Sequence, residues 1–297
     1  MACPDRTDAM AAMRAHLAPC RLCPRRCGVD RTAGETGFCG GGALATVASA
    51  GPHFGEESCL VGRGGSGTIF LAGCNLGCVF CQNWDISHRV VGEEMDAAAL
   101  AGLMRSLEAR GCANINFVTP THFAPPILEA IAEARRRGLS VPVVWNSSGY
   151  ESAEVLRLLE GAVDVYMPDF KFSRSASAER YADAPDYPDR AREALREMHR
   201  QVGDLAIEGG VARRGLLVRH LVMPGGGQES REILRFLADL SPRTFVNVMG
   251  QYRPAGRVRA RAARSAYPEI DRPPAADEVA ETRRGARALG LRLDGEA

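Results

Sequence analysis

The segment Cys74-Asn75-Leu76-Gly77-Cys78-Val79-Phe80-Cys81 constrains this chain more than any other. Its three thiols stand on one short loop, so the fold has to present them together on a single turn. Thiolates in a Cys-x3-Cys-x2-Cys spacing can hold three irons of a [4Fe-4S] cubane and leave the fourth without a protein ligand. Cysteine-only clusters that merely carry electrons normally use four thiolates. An open iron invites a small molecule to chelate it. The plain alternative is three buried thiols on a tight turn, but such spacing rarely lacks a metal or redox reason.

A chain of 297 residues can bury one large core or two modest ones. Its 37 basic and 36 acidic residues balance, so no global field points toward nucleic acid or a membrane surface. Hydrophobic residues make up 45%, ordinary for a soluble globular protein. No apolar run is long enough to span a bilayer, and the N-terminus lacks the apolar core of a signal peptide. Ten cysteines without an export signal point to metal ligation in a reducing compartment rather than disulfides, and the expected location is cytoplasmic.

The first 66 residues hold six of the cysteines and the glycine runs Gly40-Gly41-Gly42 and Gly62-Arg63-Gly64-Gly65, which read as loops around a metal with few helix or strand signals. From Thr68 the texture changes. Apolar runs at 68–72, 114–118, 141–146, 164–167, 216–222 and 244–249 predict strands, and amphipathic patterns at 96–110, 125–137, 152–160, 189–202 and 230–240 predict helices. Ala191, Leu195, Met198 and Val202 recur at helical spacing on an otherwise charged rod. Such alternation implies an α/β fold with a parallel sheet and right-handed crossovers. Six units are too few for a closed eight-stranded barrel and suit a partial (βα)6 three-quarter barrel. The cluster loop then lies at the carboxyl end of the first strand, where barrel-type folds place their chemistry. The expected organisation is a cysteine-rich segment at 1–66, a core at 67–255 and a basic helical extension at 256–297 that packs on the core.

Cys20, Cys23, Cys27 and Cys39 form a second set, interspersed with Pro24, Gly28, Gly34 and Gly37. Glycine turns let backbone amides point at sulfur, which a thiolate-bound metal needs. Four thiolates fit tetrahedral zinc or a fully capped iron-sulfur cluster, and the spacing does not choose between them. Cys3, Cys59 and Cys112 belong to neither set and read as structural.

The Cys74–Cys81 motif, with Phe80 just before the third cysteine, resembles the radical SAM superfamily. Residues 67–74, Gln82-Asn83-Trp84, 116–122, 184–188, 196–203 and 249–254 resemble, over roughly residues 20–255, a branch of it named after pyruvate formate-lyase activating enzymes. That name rests on relatedness and specifies no substrate. The resemblance implies a [4Fe-4S] cluster on Cys74, Cys78 and Cys81 and S-adenosylmethionine (SAM) on its open iron. It also implies reductive cleavage of the sulfonium to a 5'-deoxyadenosyl radical that abstracts a hydrogen atom. SAM contacts follow by position. Thr119 and Thr121 stand at the second strand end, where relatives hold the methionyl amino group. Asn146 and Ser147 stand at the third, and Met167, Asp169 and Lys171 at the fourth. Those two segments look like the Asp-Thr-Asn-Gly and Met-Leu-Asp-Leu-Lys of glycyl-radical-enzyme activases, which help bind a monovalent cation and the methionyl carboxylate. Asn146 replaces the family's aspartate and lowers the negative charge there. The plain alternative for Asp169 and Lys171 is a loop ion pair. Arg219 is a candidate carboxylate or substrate contact. Its neighbour His220 falls on the opposite strand face and reads as structural. The sixth strand end, Met249 to Tyr252, suits the adenine, the alternative being that Gln251 and Tyr252 pack under the C-terminal segment.

Three classes of function follow. The first is a radical SAM oxidoreductase that activates a partner protein at a glycine backbone, with flavodoxin or ferredoxin as reductant. The second is a radical SAM enzyme acting on a small molecule or on RNA. For RNA the relevant feature is the run Arg257, Arg259, Arg261 and Arg264, continued by Arg283, Arg284 and Arg287, but aromatic interleaving is nearly absent and nucleic acid is not the expected partner. The third is a non-enzymatic iron-sulfur or zinc protein. An oxygen-sensitive open iron amid polar strand ends is poorly suited to that role.

Overall fold

The computed structural model describes residues 6–260 and 266–295. Cys3, Arg261 and Arg264 lie outside them. The strands are β1 (Ala45–His53), β2 (Ser66–Leu71), β3 (Glu93–Met95), β4 (Ile115–Val118), β5 (Val143–Ser147), β6 (Val165–Pro168), β7 (Ala206–Glu208), β8 (Val211–Leu221), β9 (Phe245–Met249) and β10 (Arg292–Leu293). The helices are α1 (Thr7–Ala15), α2 (Ser58–Val61), α3 (Trp84–Ser87), α4 (Ala97–Ala109), α5 (Ala124–Arg136), α6 (Ala153–Leu158), α7 (Ser175–Ala182), α8 (Tyr187–Val202), α9 (Gly227–Leu240), α10 (Gly256–Arg259) and α11 (Ala276–Ala288).

All strands join one ten-stranded sheet in the order β10-β9-β8-β6-β5-β4-β2-β1-β3, with β7 pairing β8. The pairs from β2 through β4, β5, β6 and β8 to β9 and β10 are parallel. The fold is therefore α/β with a mostly parallel sheet. Each predicted strand and helix falls on an observed element, because apolar runs and amphipathic stripes are what a sheet covered by helices requires.

The expectation of few regular elements before residue 66 is overturned. Residues 45–53 form β1, antiparallel to both β2 and β3. Its sequence, ATVASAGPH, has no run of large apolar residues, and from Ser49 on its residues are exposed or half-buried. Pairing with β2 rather than side-chain burial makes it a strand. The C-terminal residues end in β10, which extends the other edge of the sheet.

Strand alternation splits the sheet into two faces. Ile69, Phe117, Trp145, Tyr166 and Val218 pack under the helices in the main core, while Val144, Val165, Met167, Leu217 and Phe245 form a smaller core on the other face with Cys59 and Leu60 of α2. The β1–β2 connection thus reaches strands far along the sheet: Glu57 Oε1 accepts from Asn247 Nδ2 at 2.9 Å, and Ser58 bonds Asp294 at 3.2 Å. Contact between a segment beside β2 and strands β8 to β10 means that this face is concave. Among the described residues no helix is long and apolar enough to cross a membrane.

Candidate functional site around the cysteine loop

The chain leaves β2 through Gly73 (φ +83°), where a Cβ would meet the Cys39 carbonyl at 2.4 Å. A second left-handed residue, Gly77 (φ +71°), turns the loop between Cys74 and Cys78. The Leu76 amide donates to Cys74 Sγ at 3.4 Å and the Ser87 hydroxyl to Cys81 Sγ at 3.2 Å. Burial pushes the Cys74 thiol up against the pull of the Gly77 and Leu76 amides, and pushes Cys78 up despite Lys171. A positive iron on these sulfurs would relieve that cost. The set of three soft donors with aligned amides therefore fits the cluster that the motif implies.

All three cysteines line a cavity of about 220 Å³. The ends of β4, β5, β6, β8 and β9 close it, bringing Thr119, Asn146, Ser147, Asp169, Lys171, Arg219 and Met249 to the same space as Phe80 of the cysteine loop. Gln251 joins them, whereas Tyr252 turns away and donates its hydroxyl to the Ile270 carbonyl at 2.8 Å. Two expected contacts lie elsewhere. Thr121 sits in a turn of 3-10 helix, buried, and its hydroxyl donates to Glu151 Oε1 at 2.8 Å. Met167 belongs to the small concave-face core. Met167 shares a strand face with Asp169 but lies two residues earlier, in the core beneath the cavity.

The charged wall is a buried network, not a surface ion pair. Lys171 Nζ lies 2.5 Å from Asp169 Oδ2, with side chains 16% and 12% exposed. Arg219 Nε donates to Asp169 Oδ1 at 2.9 Å, and a terminal nitrogen donates to Asn146 Oδ1 at 2.6 Å. Glu56, from the β1–β2 connection, stands 3.9 Å from Arg219. Burial alone would raise the Asp169 carboxyl, but Arg219 and Lys171 outweigh it and hold it below the usual range. For Glu56 burial wins over Arg219 and pushes the carboxyl up.

Several supporting residues carried no recognisable signal in the sequence. The Tyr187 hydroxyl, at the start of α8, accepts the Lys171 amide at 2.9 Å and reaches the carbonyls of Ser148 (2.9 Å) and Asp169 (3.0 Å). It stitches the end of β5 to that of β6. The only trace of it in the sequence is that 184–188 is one of the stretches shared with the family. Buried Glu151 accepts from Thr121 and from Trp145 Nε1 at 3.1 Å, and burial pushes its carboxyl up to about 7. His122 meets the Ala72 carbonyl at 2.8 Å, just before the cysteine loop, and burial lowers its ring to about 4. Thr119 holds φ +60° with its amide bonded to the Asn146 carbonyl at 2.8 Å. A β-branched residue in this region is strained, and such strain concentrates at functional sites. His220 is buried between the Phe170 carbonyl (2.9 Å) and Ser230 Oγ (2.8 Å), away from the cavity.

The second cysteine set forms a knot against the first. The Cys20 amide and carbonyl pair with Val29 and Gly28, and the Phe38 amide donates to Cys27 Sγ at 3.4 Å. A Cβ on Gly37 would lie 2.7 Å from Cys27, so only glycine permits this approach. Burial pushes the Cys23 thiol up to about 12, with Cys39, Cys27 and Cys20 adding to the rise. Among the described residues no three His, Cys, Asp or Glu side chains close around a single-ion position. Ligands of a cubane bind different irons and stand further apart than that.

An uncharacterized protein of Methanocaldococcus jannaschii is 34% identical over 266 residues, 85% of this chain and 70% of that one. Among solved structures, SuiB of Streptococcus suis bound to precursor peptide SuiA matches with a TM-score of 0.51 at 11% identity, covering 75% of this chain. A radical SAM methyltransferase from Sphaerobacter thermophilus matches with a TM-score of 0.51 at 13% identity over 77% of this chain. The chain spans 46% of the first of these and 65% of the second, and both likenesses concern the fold. The radical SAM family model matches residues 68–237, from β2 into α9. With more than half of its length matched, and with a cysteine loop at the carboxyl end of the first parallel strand, this chain belongs to the radical SAM superfamily.

Proposed function

We propose that this protein is a radical SAM enzyme whose curved sheet is a partial barrel, with Cys74, Cys78 and Cys81 as ligands of a [4Fe-4S] cluster and the adjoining cavity as the SAM site. Bound together, cluster and SAM supply a 5'-deoxyadenosyl radical able to abstract a hydrogen atom. What the chain contributes is position, charge and shielding. The observation that carries the reading is the buried Asp169–Lys171–Arg219–Asn146 network on the wall of the cavity that the three cysteines line. Lys171 and Arg219 offer charged donors to a carboxylate, with Asp169 and, 3.9 Å from Arg219, Glu56 balancing their charge. Asp169 keeps an anionic group close to Lys171 and Arg219 and fixes both. Leu71, Val118, Leu221 and Met249 line the same space and limit water, which protects a reactive species.

The finer reading is an activase acting on a glycine of a partner protein or peptide, with flavodoxin or ferredoxin as reductant. Its support is the sequence of the β5 and β6 ends, and a structural neighbour is seen with a precursor peptide. The knot of Cys20, Cys23, Cys27 and Cys39 is proposed as a second metal site, zinc or iron-sulfur. Anaerobically reconstituted protein, reduced with dithionite and given SAM, is expected to release 5'-deoxyadenosine, and Cys78→Ala is expected to reduce this to background. Release by Cys78→Ala at the wild-type rate would show the assignment to be wrong.

A further inference from the structure

The Cys23–Cys27 turn projects Arg25 onto the other cysteine loop. Its guanidinium donates from Nε to the carbonyl of Asn75 and from a terminal nitrogen to that of Leu76, both at 3.1 Å. These carbonyls lie between Cys74 and Cys78. The same group donates to Ala182 at 2.8 Å and to the Asp183 carbonyl, at the C-terminal end of α7. It stacks 3.8 Å over the Phe38 ring and lies 5.5 Å from that of Tyr150. The nearby carboxylate of Asp183 is 88% exposed with an oxygen at 4.0 Å, so it contributes little.

A planar fork that bonds several main-chain carbonyls fixes loop geometry in a way a point charge cannot. The helix end strengthens the arrangement, because its carbonyls carry partial negative charge. Two further contacts join the loops, the second through the ring on which Arg25 stacks. The Cys39 carbonyl packs where Gly73 lacks a side chain, and the Phe38 ring packs where Gly77 does, with Cβ clearances of 2.4 and 2.9 Å. The knot thus meets the cluster loop at Gly73, Asn75, Leu76 and Gly77.

We infer that the N-terminal knot is a positioning element for the Cys74–Cys81 loop, acting through Arg25 and Phe38, so that order in one loop sets the thiol geometry of the other. This goes beyond the reading of the knot as a second metal site and holds whichever metal it takes. Because such coupling is reciprocal, whatever tightens the knot tightens the cluster loop.

Hydrogen exchange on the full reconstituted chain tests this without SAM cleavage, so its failure is distinct from failure of the proposed activity. Losing charge-assisted bonds to two loop carbonyls is expected to speed exchange of a peptide covering 73–81 by about tenfold or more in Arg25→Gln. Exchange over Val165–Pro168 should stay unchanged, as should that of the loop in Arg26→Gln, the neighbouring exposed arginine. The EPR signal of the reduced cluster is expected to shift or broaden in Arg25→Gln. Should that variant not fold, Phe38→Ala, at a ring 47% exposed, gives the same readout. Unchanged exchange at 73–81 in a folded variant overturns the inference, and so does acceleration spread evenly over the chain.

Discussion

Left-handed glycines shape both cysteine loops, Gly28, Gly34 and Gly40 in the knot and Gly73 and Gly77 in the cluster loop, and in both a main-chain amide meets sulfur. They differ in what stands opposite. The cluster-loop thiols face a cavity whose far wall holds Asp169, Lys171 and Arg219. The knot's cations Arg25 and Arg31 are engaged by main-chain carbonyls instead, Arg31, 2% exposed, by those of His122 and Gly42. One loop faces a space that can take an organic cofactor, whereas the knot buries Cys20 and Cys23, leaves Cys39 half-buried and exposes Cys27. That contrast supports reading the first as reactive and the second as constructional. It also agrees with the two proposed metal sites, since a fully capped site leaves no metal position unligated.

The sharpest way to break this contrast is to empty one loop and ask what the other retains. Protein with Cys74, Cys78 and Cys81 replaced by alanine is expected to keep about one zinc, or about four irons if the knot holds a cluster. Elemental analysis reads the result directly. A folded triple variant without metal would reduce Cys20, Cys23, Cys27 and Cys39 to ordinary thiols.

The far wall itself is the next point of attack. Asp169→Ala leaves Lys171 and Arg219 buried without their carboxylate, and breaking a buried pair from one side costs about 3–5 kcal/mol. Denaturant unfolding should register that loss, and SAM affinity should fall while iron content holds. Iron lost in step with stability would make Asp169 a folding residue instead.

What the sequence reveals, and what it conceals, follows from the range of the interactions. Parallel strands buried on both faces declare themselves as apolar runs, and strand order then places the cysteine loop and the ends of β4, β5, β6, β8 and β9 in one neighbourhood. Thr119, Asn146, Asp169 and Arg219 were therefore legible by position as residues that line this cavity. Met167 and Thr121 were not, because depth along the strand or one short turn decides whether a side chain reaches the cavity. Arg25, Tyr187 and Glu151 escaped for a different reason. Each acts on backbone or polar groups distant in sequence or hidden by folding, and no local pattern announces such a bond. β1 was missed because it is defined by its partner strands rather than by its own side chains.

The smallest expected effect separates two carboxyls on the cavity side of the molecule. Asp169 is held below the usual range by its cations, so its contribution is lost as pH falls. Glu151 behaves oppositely. Burial pushes it from 4.5 up to about 7, against hydrogen bonds from Thr121, Trp145 and Ser147 that only partly compensate. The folded state therefore binds this proton more tightly than the unfolded chain does. Its stabilisation is complete below the unfolded value of 4.5, declines as pH rises toward about 7, and is gone above it. Over that window the shift corresponds to about 3 kcal/mol at most. Glu151→Gln keeps an acceptor for Thr121 and Trp145 but has no proton to lose. Urea unfolding at several pH values should show wild-type stability falling between about pH 5 and 7 more steeply than that of the variant. Parallel profiles would mean that Glu151 is ionised in the fold at neutral pH, and that it anchors the β4 and β5 ends as a charge rather than as a neutral acid.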